Sequence, residues 1–253
     1  MSKEKVLSDN NIEEVDSEHE MTFMEHLEEL RWRIIYMVIG ILIGAILCFV
    51  FIDFLVEKVL LQPAVKSGAQ LQNLKPFGQI FLYFQVAIMG GIIISIPNIF
   101  LQIWKFISPA LEKHEKKYIL AIVMFSSLCF LSGIIFAYFV MLPLTMDFAA
   151  HFGTEAIKNE FAIDEYMAII FSVMLAAGLI FELPMISFFL TKLGILTPDF
   201  MRKYRKHAIV AIMFFAALLS PGTDPVSQIV LAVPLFFLYE ISIFISKITQ
   251  KKS

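Results

Sequence analysis

Long apolar runs separated by short charged connections set the rhythm of this chain. Ile34 to Ile52, Phe77 to Trp104 and Ile119 to Met146 contain no Asp, Glu, Lys or Arg, while Tyr166 to Leu190 and Val226 to Ser246 contain one Glu each. A sixth, shorter run, Ala208 to Leu219, stops at Ser220-Pro221-Gly222. A helix rises about 1.5 Å per residue, so roughly 20 apolar residues cross about 30 Å of hydrocarbon. None of the runs alternates polar and apolar positions as a barrel strand would, and in lipid each backbone amide must pair within its own segment. The pattern therefore predicts an all-α polytopic membrane protein with spans at about 34–55, 77–104, 118–146, 163–190, 206–220 and 226–246. Pro97, Pro143, Pro184 and Pro234 each remove one backbone donor, which favours kinks and a concave bundle of six transmembrane helices.

Composition strengthens this reading. Hydrophobic residues make up 58% of the 253 positions against 17% charged, too apolar for the surface of a soluble domain. Charge then orients the spans. Sixteen of the Lys and Arg residues fall in the 1–33, 105–117, 191–207 and C-terminal segments, against four in the alternate connections, Lys58, Lys66, Lys75 and Lys158. Basic residues accumulate on the cytoplasmic side, so both termini of this multi-pass protein are expected there. The first 33 residues carry acids rather than a basic stretch followed by an apolar core, so no cleavable signal sequence is expected. Residues 1–21 are acidic and free of aromatic rings, which predicts a disordered tail before a membrane domain at 22–250. From Thr22 a helical face of Met24, Leu27, Leu30 and Ile34 leads straight into the first span. The 53–76 connection, punctuated by Pro63, Gly68 and Pro76, is expected to form a cap of short helices. Twelve apolar residues from Ala208 reach only about 18 Å, so either the bilayer thins there or the span borrows length from Tyr204 and His207.

Four stretches carry candidate chemistry. In "EHLEELRWR", residues 25–33, Glu29 and Arg33 are four apart in the favourable acid-first order and share a helix face with His26. Taken alone, this is also what an interfacial helix tied by surface ion pairs looks like. In "WKFISPALEKHEKKY", residues 104–118, Ser108-Pro109 signals a helix start, and Glu112 and Glu115 stand among lysines that topology explains but the acids do not. Glu182 lies in the apolar run "AAGLIFELPMISFFL", where a carboxyl is costly unless paired, wetted or protonated. It is either a neutral acid bonded to a neighbouring helix or a functional group facing the bundle interior. In the last stretch Ser220, Asp224 and Gln228 gather at the turn before the final span, which ordinary capping would also explain, and Glu240 is placed to snorkel or to meet the 202–206 basic cluster. Cys48 and Cys129 have no metal-ligand spacing and are expected to be small buried residues. There is no His-Glu-x-x-His pair, no Gly-x-Ser-x-Gly elbow and no phosphate-binding Gly-rich loop with Lys, so neither an enzyme nor a cofactor is expected.

In order along the chain, His26-Leu27 with Glu29-Leu30-Arg31 and Arg33, Phe106 to Leu111 with His114-Glu115, Phe181-Glu182 with Pro184, and Asp224 to Leu235 with Tyr239-Glu240 resemble the TatC family. That family supplies the multispanning subunit of the twin-arginine protein translocase. The resemblance covers about 22 to 250 and departs at one turn, where Ser220-Pro221-Gly222-Thr223-Asp224 stands in place of a compact Thr-Pro-Pro-Asp. It implies a receptor for signal peptides with consecutive arginines, working with TatA and TatB-type single-span proteins and with copies of itself to export folded cargo on the proton-motive force, without nucleic acid. By motif, the resemblance puts peptide binding at Glu29 and Glu115, with Arg31, Arg33, Phe106 and Pro109 around them. It further implies partner docking at Glu182, Ser220, Asp224 and Gln228. The rival class is a self-contained proton-coupled secondary transporter with Glu182 as relay. That fold would carry an internal repeat, and none is seen.

Overall fold

The computed structural model describes residues 23–107, 119–151, 153, 159–219 and 225–250. The first helix, α1 (Phe23–Val50), is one unbroken rod of 28 residues. At about 42 Å it exceeds the hydrocarbon thickness, so its charged first turns belong to the interface. The chain reverses through short helical turns at Ile52–Phe54, Leu55–Leu60 and Gln62–Lys66. It then returns as α2 (Gly78–Ile107). These two helices pack backbone to backbone. A Cβ on Gly91 would come within 2.6 Å of the Ala45 amide nitrogen and the Ile41 carbonyl oxygen, and one on Gly44 within 2.8 Å of the Gly91 carbonyl. Close approach through small residues is how membrane helices gain packing energy when lipid removes the usual hydrophobic drive.

Next come α3 (Ile119–Phe136), a widened turn at Ala137–Met141, and α4 (Leu142–His151), with Pro143 at the second position of α4. A proline without an N–H is tolerated at that opening position, and the wide turn absorbs the break. The pair α5 (Ile163–Ile180) and α6 (Leu183–Lys192) forms a single apolar span broken at Phe181-Glu182, just before Pro184. The α3 and α5 helices cross where a Cβ on Gly133 would lie 2.6 Å from the Ala177 carbonyl oxygen, and the Phe130 ring covers Gly178. Beyond Gly194, which has φ +72°, α7 (Pro198–Lys203) starts with the Thr197 side chain accepting from the Phe200 amide at 3.2 Å. Then follow α8 (Arg205–Leu219) and α9 (Pro225–Gln250). Among the described residues five spans are long and apolar enough to cross a membrane. The 15 residues of α8 reach about 22 Å, and α8 starts at Arg205 rather than within its apolar run.

The outer surface is what lipid demands. Leu42, Ile43, Ile46, Phe139, Phe214 and Phe244 are all more than half exposed, whereas a soluble protein rarely shows apolar patches of such extent.

Contacts define two rims. His26 stacks on Phe106, Trp104 meets Phe189 at 5.2 Å, and the Thr191 hydroxyl donates to Ser246 at 2.7 Å. The start of α1 and the ends of α2, α6 and α9 therefore share one rim, here the near rim. The far rim holds a feature that hydrophobic periodicity did not announce. Two three-residue strands, β1 (Gln70–Gln72) and β2 (Glu160–Ala162), pair in parallel with Leu71 opposite Phe161. Beneath them the Tyr166 hydroxyl donates to the Leu60 carbonyl at 2.6 Å and accepts from the Ala64 amide at 3.3 Å, while Lys75 meets Asp164 at 2.5 Å. That carboxylate holds the Lys75 ammonium above its ordinary pKa. The fold is thus all-α in its membrane part, with a small parallel sheet added to the expected cap.

Candidate binding site at the near rim

Antiparallel packing of α1 and α2 aligns residues 26, 29, 33, 36 and 40 with 98, 102 and 106, continuing the seam of Gly44 and Gly91. Polar groups on this seam form a ladder. At its inner end the Asn98 side-chain amide donates to the Tyr36 carbonyl at 3.1 Å. Gly40 makes room there, since a Cβ would run into that amide. One turn further, Gln102 donates to Asn98 Oδ1 at 3.3 Å, and its own carbonyl accepts from Arg33 Nη1 at 3.3 Å. Arg33 turns its other edge to Glu29, with Nε at 3.1 Å from Oε1 and Nη2 on that same oxygen.

This leaves the second oxygen of Glu29 without a bond from Arg33. Oε2 is buried and has no hydrogen-bond partner among the described residues. His26 Nδ1 lies 4.0 Å away. The imidazole stacks on Phe106 with ring centres 4.3 Å apart and planes 18° from parallel. A carboxylate with one spare oxygen beside a flat aromatic platform is an acceptor suited to a planar cation. Arg31, two residues from Glu29 and so about 200° round the helix, is exposed and lies off this seam. Glu115 and Pro109 lie outside the described residues. Asn98 and Gln102 escaped the sequence reading. Their signal was available as two amides four residues apart in an otherwise apolar, charge-free span.

Glu182 sits at the α5–α6 break and is 6% exposed. Its carboxyl turns inward onto α3, where the Ser126 side chain and the Phe130 backbone meet it and Cys129 lies close by. Oε1 has no partner among the described residues. In the chain alone the side chain is buried against its own helices, with that oxygen unused. Gln228 donates to the Met213 carbonyl at 3.0 Å, linking α9 to α8. Ser220 and Asp224 lie outside the described residues. Glu240 pairs with Arg205 at 2.6 Å, within the basic cluster expected to receive it. Among the described residues no group of His, Cys, Asp or Glu could hold a metal ion.

Fold and site together define a class: a multi-pass helical membrane protein with a polar ladder ending in a buried carboxylate at one rim. Comparison with known proteins narrows it. The family model for the Sec-independent protein translocase protein (TatC) matches residues 25–234. The Sec-independent protein translocase protein TatC of Carboxydothermus hydrogenoformans is 37% identical over 92% of this chain and 95% of its own length. That of Aquifex aeolicus is 36% identical over 92% and 97%. A crystal structure described as the twin-arginine translocase receptor TatC superimposes with a TM-score of 0.74 at 36% identity, covering 89% of this chain and 99% of that one. The chain belongs to the TatC family, whose members are components of a protein translocase.

Proposed function

We propose that this chain is the receptor and core subunit of a twin-arginine translocase. It binds signal peptides with paired arginines at the near rim, and with TatA and TatB-type partners and further copies of itself it exports folded proteins on the proton-motive force. The observation that carries the reading is the unpartnered Oε2 of Glu29, buried beside His26 and Phe106. Guanidinium is planar, permanently charged and presents its donors in a fork, so it can bond that oxygen while stacking beside Phe106 and His26; an ammonium offers only a point charge. Family motif supplies the second acid, Glu115, with Pro109 as wall. Glu182 and the Ser220, Asp224 and Gln228 turn are the proposed docking points for single-span partners. An apolar groove between α8 and α9, lined by Ile209, Met213, Ile229, Val233 and Phe236, supports the second of these.

Copurification with a twin-arginine peptide against a twin-lysine control tests the reading. Retention of the first alone is expected, and equal retention of both would refute it. The near rim is proposed to be cytoplasmic, because the segments of the sequence richer in Lys and Arg supply Lys105, Lys192 and Lys247 to the helix ends on this rim. Single cysteines placed at Ser67 and Asn159 are expected to react with an impermeant thiol reagent added outside the cell, and one at Ser253 is not. The reverse labelling would invert the assignment of both rims.

A further inference from the structure

Arg33 presents a difficulty for the site just proposed. It lies one turn from Glu29, in the register where an arginine can grip a carboxylate two-pronged, with Nε on one oxygen and Nη2 on the other. Such a fork would fill both oxygens of Glu29 and leave nothing for an incoming arginine. The structure shows a different pairing: both donors of that edge meet Oε1, and Oε2 has no partner among the described residues. The rotation that would close the fork is opposed from the other side of the guanidinium. Its Nη1 is held by the Gln102 carbonyl, Gln102 is held by Asn98, and Asn98 is anchored to the Tyr36 carbonyl in the space left by Gly40. Gln102 is only 8% exposed, so little water can stand in for it.

We infer that Gln102 is a positioning residue that keeps the Glu29 site open, by drawing Arg33 away from the second carboxylate oxygen. Arg33 in this arrangement is a resident guanidinium held in check: it fixes the plane of the carboxylate through one oxygen and reserves the other for substrate. Asn98 acts one step further back by fixing Gln102. The inference rests on the peptide-binding reading above and adds to it a means by which the free receptor avoids satisfying its own acid.

The experiment measures binding of a fluorescent twin-arginine peptide to the full chain in detergent, with a twin-lysine peptide in parallel. Gln102→Met keeps length and flexibility but removes the strong acceptor, and is expected to weaken twin-arginine binding about tenfold or more as Arg33 closes on Glu29. Gln102→Glu keeps an acceptor for Nη1 but can no longer donate to Asn98, and is expected to bind more tightly than Gln102→Met and less tightly than the unmutated chain. The decisive variant is Gln102→Met combined with Arg33→Met, which removes the guanidinium that closes the site and is expected to bind severalfold more tightly than Gln102→Met alone, while staying below the unmutated chain because the carboxylate has lost its Arg33 clamp. Asn98→Ala, which frees Gln102 without touching it, is expected to give an intermediate loss and serves should Gln102→Met fold poorly. Unchanged binding by both Gln102→Met and Asn98→Ala would overturn the inference. So would a double variant as weak as Gln102→Met, because a merely structural glutamine is not rescued by deleting its neighbour. If the unmutated chain shows no preference for twin arginine, the peptide-binding reading itself fails, and that outcome is distinct from the other two.

Discussion

Replacing Glu29 with Ala is expected to lower the affinity for a twin-arginine peptide by about 10- to 100-fold, the loss of one charge-assisted hydrogen bond of about 1.5–3 kcal/mol. The protein should still reach the membrane at normal levels. Glu29 sits in the first turns of α1, outside the apolar seam, and its loss leaves Arg33 with a partner in Gln102. Glu29→Gln should fall between, because the amide oxygen still accepts but carries no charge. Fluorescence anisotropy with the labelled peptide at several salt concentrations checks this. The salt dependence of binding should shrink in both variants, since one ion pair has been removed. Wild-type affinity in Glu29→Ala would show that the unpartnered oxygen is not where the peptide binds.

Glu182→Leu is expected to abolish transport of a twin-arginine reporter and crosslinking to a TatA-type partner without loss of folded protein, whereas Glu182→Gln should keep part of both. Glu182 holds an unpartnered, buried carboxyl oxygen at a helix break. A polar anchor there bonds a docking helix in one register, and an amide of nearly equal volume preserves the bond. A proton relay predicts instead that Gln is as harmful as Leu, because an amide cannot carry the proton. A purely structural acid predicts that Leu is tolerated, since an apolar residue of similar size removes the cost of burying a carboxyl next to Ser126. Transport and crosslinking measured at matched membrane levels separate the three, and normal transport by Glu182→Leu would remove this residue from the functional site.

How much of this was legible in the sequence varies with the physics behind each feature. Long apolar runs announce helices because lipid leaves the backbone no other way to pair, and the runs around residues 34–52, 77–104 and 119–146 could be placed by eye. The α5–α6 break was marked by Pro184, and the opening of α4 by Pro143. By contrast, β1 and β2 are three residues each and lie 90 positions apart, so no local period betrays them. The site divides in the same way. Glu29, Arg33 and His26 announced themselves by four-residue spacing on a charged helix. Asn98 and Gln102 did not, because an amide adds little to a charge-based scan, and their importance appears only once α2 lies against α1. Whether a buried carboxyl faces inward or outward depends on helix rotation, which Glu182 shows cannot be taken from hydropathy.

The far-rim cap has a mechanical consequence. The connection after α1 is fastened to the start of α5 by a strand pair, by Tyr166 and by Lys75 with Asp164, while α1 itself packs chiefly along α2. Any tilt of the α1–α2 pair about the cap is therefore largest at the Glu29 end, where the Trp104–Phe189 contact resists it. With a lever of about 40 Å, a tilt of only about 5° moves that end by roughly 3–4 Å, on the order of one hydrogen-bond length. A small rotation about the fastened end is thus enough to make or break contacts at the other, and stiffness in the cap sets how far the Glu29 carboxylate travels under a pull at that end.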